Sequence, residues 1–265
     1  MLSSVSTSTS VSASTEAKRT RSSAPISSIS IATSSPTSQK SFFKRHEVPR
    51  KVFHSLTGFF TVWLLVNDYN PKQLVVPLIA MTILCLGQEF LRLTSPKFNE
   101  FCIRHYGFMM RTSEFHQING IFYFLIGLLF NSYFLPKDLV VLANFFLSWG
   151  DTMASMAGRE FGKYTPKIGS HKSLAGCIAN FFTGMACCYL LYGYLIPTYQ
   201  GYGNIASDIW YNPKESRLSL VGFAVIGGLI SSVSEIIEGV DDNLTIPVIS
   251  GVVMYGVVNI FKTGA

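Results

Sequence analysis

The chain has 265 residues, 48% of them hydrophobic and only 14% charged, where soluble domains carry about 25% charged residues. The apolar residues stand in long blocks, which excludes a water-soluble globular domain and points to an all-α, polytopic integral membrane helix bundle. The formal charge of +6 suits basic membrane-flanking loops, and no basic stripe with interleaved aromatics argues for a nucleic-acid partner.

Residues 1–43 are rich in Ser and Thr and nearly free of large apolar side chains. They are expected to form a disordered cytosolic tail, because they cannot bury enough surface to fold. The membrane-embedded domain is expected over 44–265. It opens with KRHEVPRKVFHS from Lys44 to Ser55. Pro49 suits a first helical turn. Arg50 and His54 then stand at i, i+4, with Lys51 beside them. A positive-inside anchor accounts for Lys44 and Arg45. It accounts poorly for His54, since a histidine one turn into a membrane helix usually faces protein or water.

Seven spans are predicted, over 52–66, 74–93, 118–135, 139–157, 174–196, 218–237 and 244–261. Basic residues cluster in alternate connections, which predicts a cytosolic N-terminus and a lumenal C-terminus. Glu89 and Arg92, at i, i+3 near the end of the second span, read as a structural ion pair. Gly127, Gly184, Gly251 and Gly256 read as sites of close helix approach. Tyr192, Tyr194, Tyr199, Trp210 and Tyr211 read as an interfacial aromatic belt. The five cysteines have no zinc-ligand spacing and read as small apolar residues in helices.

The stretch SWGDTMASMAGREFGKYTPKIGSHKSLAG, from Ser148 to Gly176, carries the clearest chemistry. On a helix, Asp151, Ser155 and Gly158 share one face. A carboxylate there can take Mg²⁺, small residues leave room, and Arg159, Lys163 and Lys172 can neutralise phosphate oxygens. A membrane exit followed by a positive loop is the competing reading of the same residues. Further on, SSVSEIIEGVDDN places Glu235, Glu238, Asp241 and Asp242 within eight residues. These carboxylates repel one another unless cations lie opposite. Asp241, Asp242 and Glu235 are therefore candidate partners of Asp151 in a metal site. All these loops fall on the predicted cytosolic side. No G-x-x-x-x-G-K-[ST] phosphate loop is present.

HEVPRKVFHS, the D-x-x-A-x-x-x-G-R core, HKSLAG and DDNLTIPV together resemble the polyprenol kinase and CTP-transferase family. That family includes dolichol kinases, phytol kinases and the fungal CTP-dependent diacylglycerol kinases, and the last are the most similar. The resemblance covers roughly residues 44–262. It implies transfer of the γ-phosphate of CTP to the hydroxyl of diacylglycerol, with a divalent metal, Mg²⁺ or Ca²⁺. It implies functional roles for Arg50, Lys51, Asp151 and Gly158, and matches Arg159, Lys172, Ser173 and Gly176. It also implies an endoplasmic reticulum membrane, with the nuclear envelope as the alternative. Other readings are a dolichol or phytol kinase, a cytidylyltransferase that attacks the α-phosphate, and a transporter or membrane scaffold.

Overall fold

The computed structural model describes residues 48–169, 172–200 and 208–262. The tail, Lys44, Arg45 and His171 lie outside the described residues. The chain is a helix bundle whose strands amount to one two-residue hairpin, β1 (Lys167–Ile168) with β2 (Lys172–Ser173), among the described residues. Each predicted apolar block is a helix. They are α1 (Val48–Val66), α2 (Val75–Thr94), α4 (Gly120–Phe134), α5 (Lys137–Phe145) running on into α6 (Thr152–Phe161), α7 (Leu174–Cys188) running on into α8 (Ile196–Gln200), α9 (Leu220–Ile236) and α10 (Asp242–Phe261). Among the described residues, one α-helix lies outside the predicted blocks: α3 (Pro96–Tyr106), which starts at a proline and ends with Arg104 and His105 in its last turn.

Among the described residues, four helical rods are long and apolar enough to cross a bilayer: Pro71–Thr94, Lys137–Tyr164, Leu174–Gln200 and Asp242–Phe261. Gly120–Phe134 and Leu220–Ile236 are apolar but shorter. At about 1.5 Å per residue, a 15-residue helix covers about 22 Å of the roughly 30 Å hydrocarbon core. The seven predicted blocks are thus all helical, but only four qualify as spans on length and composition alone.

The α5–α6 rod is the axis of the bundle. From Lys137 to Ser148 every side chain is buried. Phe145, Phe146 and Leu147 meet Cys188, Leu191, Phe223 and Ile246 in the core. α2 is peripheral and shows its apolar side chains outward, with Val76 74% and Leu84 72% exposed. In water such a face would be a large penalty, whereas hydrocarbon solvates it. On α7, a Cβ added at Gly184 would sit 2.9 Å from the Cα of Gly228 on α9, so the close approach read from the sequence is present. Gly256 faces open space and packs nothing.

The interfacial belt needs correction at two positions. Tyr192 and Tyr211 are 3% and 1% exposed and belong to the core. Tyr211 stacks on Phe223 with centroids 3.8 Å apart. Both hold the fully buried Asp138, the Tyr192 hydroxyl donating at 2.9 Å and the Tyr211 N–H at 3.0 Å. A buried carboxylate must find donors. It draws these tyrosines inward, away from an interface their composition alone suggested.

Candidate functional site

Opposite Asp138, the start of α1, the α5–α6 junction, the β-hairpin and the facing ends of α9 and α10 enclose a cleft of about 280 Å³. Between α5 and α6 the rod rewinds into a π-helical turn, Phe146–Asp151. Such turns rotate the residues that follow and recur at functional sites. This one brings Asp151 to the wall of the cleft, with Ser155, Gly158 and Arg159 following on α6.

Three contacts clamp α1 against that turn. Lys51 Nζ donates to Ser155 Oγ at 2.5 Å, the Thr57 and Ser148 hydroxyls meet at 2.8 Å, and Trp149 Nε1 donates to the Ser55 carbonyl at 3.2 Å. Arg50 is thereby aimed into the cleft. The hairpin delivers Lys172. It turns through Gly169, whose φ of +72° suits glycine, and pairs Ile168 with Lys172. Ser173 then caps α7, accepting from the Gly176 N–H at 3.3 Å. A Cβ on Gly176 would lie 2.9 Å from the Ala154 carbonyl oxygen. This glycine therefore serves the packing of α7 on α6, and no side chain fills the cleft at that point.

Arg50, Arg111, Arg159 and Lys172 share the cleft with Asp151, Asp242 and Glu235. Lys172 Nζ lies 3.0 Å from Asp242 Oδ2 and 3.9 Å from Glu235 Oε1. Burial works against its charge, but the carboxylates of Asp242 and Glu235 outweigh it and hold its pKa above the ordinary lysine value. Arg111 shows the same balance. Burial opposes its charge, and Asp241, with Oδ2 at 3.2 Å, outweighs it together with Glu114. Glu235 also accepts from Asn180 Nδ2 at 2.8 Å.

Of the predicted site residues, Arg50, Asp151, Gly158, Arg159, Lys172, Ser173, Gly176, Glu235 and Asp242 all line this cleft. Four do not. Lys51 stands behind it, bonded to Ser155. Lys163 is exposed, its ammonium 4.7 Å above the Tyr164 ring. Asp241 caps α10 by accepting from the Asn243 N–H at 3.0 Å and pairs with Arg111. His54 lines an adjoining apolar groove. The sequence reading missed Arg111 as a cleft residue. Its only signal was a basic side chain in a loop assigned to the same side of the membrane.

Among the described residues, no three His, Cys, Asp or Glu side chains converge as a metal cage. Mg²⁺ in phosphate chemistry commonly takes one or two carboxylates and completes its shell with substrate phosphates and water. Asp151 and Asp242, both in the cleft wall, fit that arrangement.

An apolar bundle with a cation-rich cleft at one end is the layout of a membrane enzyme that handles a charged, water-borne reactant at the interface. The chain is 42% identical over 223 residues to the CTP-dependent diacylglycerol kinase 1 of Saccharomyces cerevisiae, covering 83% of this chain and 77% of the relative. It is 36% identical over 215 residues to the Schizosaccharomyces pombe protein of the same name, covering 80% and 94%. The chain belongs to the family of CTP-dependent diacylglycerol kinases. A weaker similarity, 24% over 211 residues, connects it to a probable chloroplastic phytol kinase 2 of Glycine max, covering 78% of this chain and 64% of that one. No family model and no solved structure matches the chain.

Proposed function

We propose that this chain transfers the γ-phosphate of CTP to the free hydroxyl of diacylglycerol, giving phosphatidate and CDP. The observation that supports it best is the gathering of Arg50, Arg111, Arg159 and Lys172 around Asp151 and Asp242 at one end of an apolar bundle. Phosphoryl transfer needs little covalent help from protein. It needs the donor held in line with the acceptor and charge neutralised on the phosphoryl oxygens. The three arginines offer forked donors to phosphate oxygens, and Lys172 offers a point charge. The N-terminus of α7, capped by Ser173, adds a partial positive charge from the side of Gly176.

The acceptor oxygen attacks the γ-phosphorus as the bridge to the β-phosphate breaks. CDP leaves, and the hydroxyl proton passes to a carboxylate of the cleft or to His54. Asp151 and Asp242 would hold a divalent cation. When bound, it would supply positive charge that favours phosphoryl transfer. The kinase unit is residues 44–265. It sits in the endoplasmic reticulum membrane, which is continuous with the nuclear envelope, with the cleft and the N-terminus facing the cytosol, where CTP is found.

The test is transfer of label from γ-labelled CTP by purified protein in detergent micelles with Mg²⁺ and diacylglycerol. Labelled phosphatidate with CTP and none with ATP is the expected result. Label that enters dolichol or phytol but not diacylglycerol reassigns the acceptor. Incorporation from α-labelled CTP into lipid reassigns the chemistry to cytidylyl transfer.

A further inference from the structure

Arg50 borders two spaces. One is the charged cleft, and the other is a largely apolar groove of about 470 Å³ between α1, α2, α3 and α4. Phe98 and Phe101 of α3 wall the groove on one side, and Phe53 and Phe124 on the other. Its polar lining includes Arg50, His54, Gln88, Glu89, Arg92 and Glu114. Phe53 and Phe124 also wall a second cavity of about 440 Å³, which continues along α1 past Thr57 and Leu64 to Leu78 of α2. The lining of this second cavity is almost entirely carbon. Folded interiors rarely leave voids larger than a water molecule, and each of these spaces has the size of a ligand pocket.

The rim of the second cavity includes Phe60 and Met81, which are 57% and 53% exposed. On helices of a membrane bundle, exposure of that kind faces acyl chains. The second cavity is therefore open sideways to hydrocarbon, and the groove that shares Phe53 and Phe124 with it borders the charged cleft at Arg50. His54 lines the groove. It follows Arg50 by one turn, and its ring meets Phe124 edge-on with centroids 6.3 Å apart. Its Nδ1 is buried and has no hydrogen-bond partner among the described residues. A buried ring nitrogen without a partner is costly, and a hydroxyl arriving through the groove would supply one.

We infer that these two spaces form one acyl channel for the lipid acceptor. A fatty-acyl chain of diacylglycerol lies along α1 past Phe53 and Phe124. The glycerol hydroxyl stands at His54 and Arg50, facing the cleft. From Arg50 to Leu64 the helix rises about 21 Å, enough to run past the roughly 15 Å of one leaflet. The inference rests on the proposed reaction for the identity of its occupant, and it assigns that occupant a place.

Two measurements test it. In the first, a diacylglycerol with a diazirine at the end of one acyl chain is photolysed with the wild-type protein in micelles, and labelled peptides are read by mass spectrometry. Label on α1 and α2 around Leu64 and Met81 is expected, competed away by unlabelled diacylglycerol. Label confined to the outer faces of α7, α9 or α10, or not competed, overturns the channel. In the second, Leu64→Trp and, independently, Leu128→Trp, both at residues that line the second cavity, plug the channel beyond Phe124. Each should shift the KM ratio of dioleoyl- to dioctanoylglycerol upward by about tenfold, the worth of roughly two buried methylenes. An unchanged ratio in both variants overturns the channel. The two ideas fail separately. Competed label in the channel without phosphate transfer removes the proposed reaction and keeps the lipid site. Transfer with label elsewhere does the reverse.

Discussion

Lys172 and Asp242 permit a double-mutant cycle that separates holding the fold from binding phosphate. Lys172→Met removes an ammonium 3.0 Å from Asp242 and 3.9 Å from Glu235. At an effective dielectric of about 20, a pair at that shorter distance attracts by roughly 5.5 kcal/mol gross. Desolvation offsets much of this, and the two side chains keep 18% and 21% of their exposure, so solvent screens part of the rest. A net coupling of about 1–2 kcal/mol remains. The methionine variant also leaves Asp151, Asp242 and Glu235 facing one another, so its own cost is about 2–3 kcal/mol. Asp242→Asn relieves that repulsion, and the double variant should be more stable than the sum of the singles by the coupling energy. Activity should not follow stability. Both side chains line the cleft, and loss of one charged contact to a developing charge costs about 10²–10³ in rate. All three variants should therefore lose at least that much kcat/KM. Thermal unfolding in micelles, followed by tryptophan fluorescence, reads the first quantity, and γ-label transfer from CTP reads the second. A coupling within about 0.3 kcal/mol of zero would show that the pair is not held in the folded chain. A double variant that regained activity along with stability would reduce Lys172 to a structural counter-ion.

Asp151→Ala should abolish phosphate transfer, by about 10³-fold or more, with circular dichroism and melting temperature unchanged, because the side chain sits in the cleft wall. Retention of a tenth of wild-type activity removes it from the site. Arg92→Ala should be mainly a stability lesion. The guanidinium is 1% exposed and donates to Glu89 at 2.7 and 3.0 Å, to Asn99 at 3.0 Å and to the Gln117 carbonyl at 2.5 Å. Its loss strands the buried Glu89 and should cost about 3–5 kcal/mol, and Glu89→Leu in the same chain should recover part of it. A melting temperature unchanged by Arg92→Ala refutes this account. The pKa of Lys172 is raised above its ordinary 10.5, so its contribution is complete below that value and is lost as pH rises through the higher folded value. The difference in melting temperature between wild type and Lys172→Met should be constant from about pH 7 to 9 and shrink only on the alkaline side of the ordinary lysine range. A difference that already closes by about pH 8 contradicts the placement of the ammonium between carboxylates.

The helices were legible because hydropathy is a local property. A block of apolar residues has nowhere to go but a helix in a bilayer, and all seven predicted blocks are helical. The Glu89–Arg92 pair was legible for a similar reason, since i, i+3 spacing fixes the contact within one helix. What the sequence concealed depends on long-range geometry. The π-helical turn at Phe146–Asp151 has no compositional mark, and it decides which way Asp151 faces. Asp241 and Asp242 are identical neighbours in sequence. The first is taken up by capping α10 and pairing with Arg111, and the second lines the cleft. Arg111 lines the cleft and pairs with Asp241 across 130 residues of sequence. Tyr192 and Tyr211 look like interfacial residues until the buried Asp138 is known to need donors.

The placement of α1 explains how one short motif can serve both reactants of the proposed reaction. Arg50, Lys51 and His54 occupy its first two turns, and each does something different. Arg50 faces the charged cleft, His54 faces the apolar groove, and Lys51 turns back to Ser155 and fixes the helix on α6. A water-soluble phosphate donor and a membrane-soluble acceptor never share a phase, so a group between them must belong to both sides. A helix that begins at the interface with a cation and continues into hydrocarbon with aromatics meets that need within about one turn, roughly 5.4 Å. The clamps from Lys51, Thr57 and Trp149 then matter beyond stability. An α1 displaced by about 1 Å would misplace the donor's counter-charge and the acceptor's hydroxyl together, and errors of that size in reacting geometry cost about a hundredfold in rate.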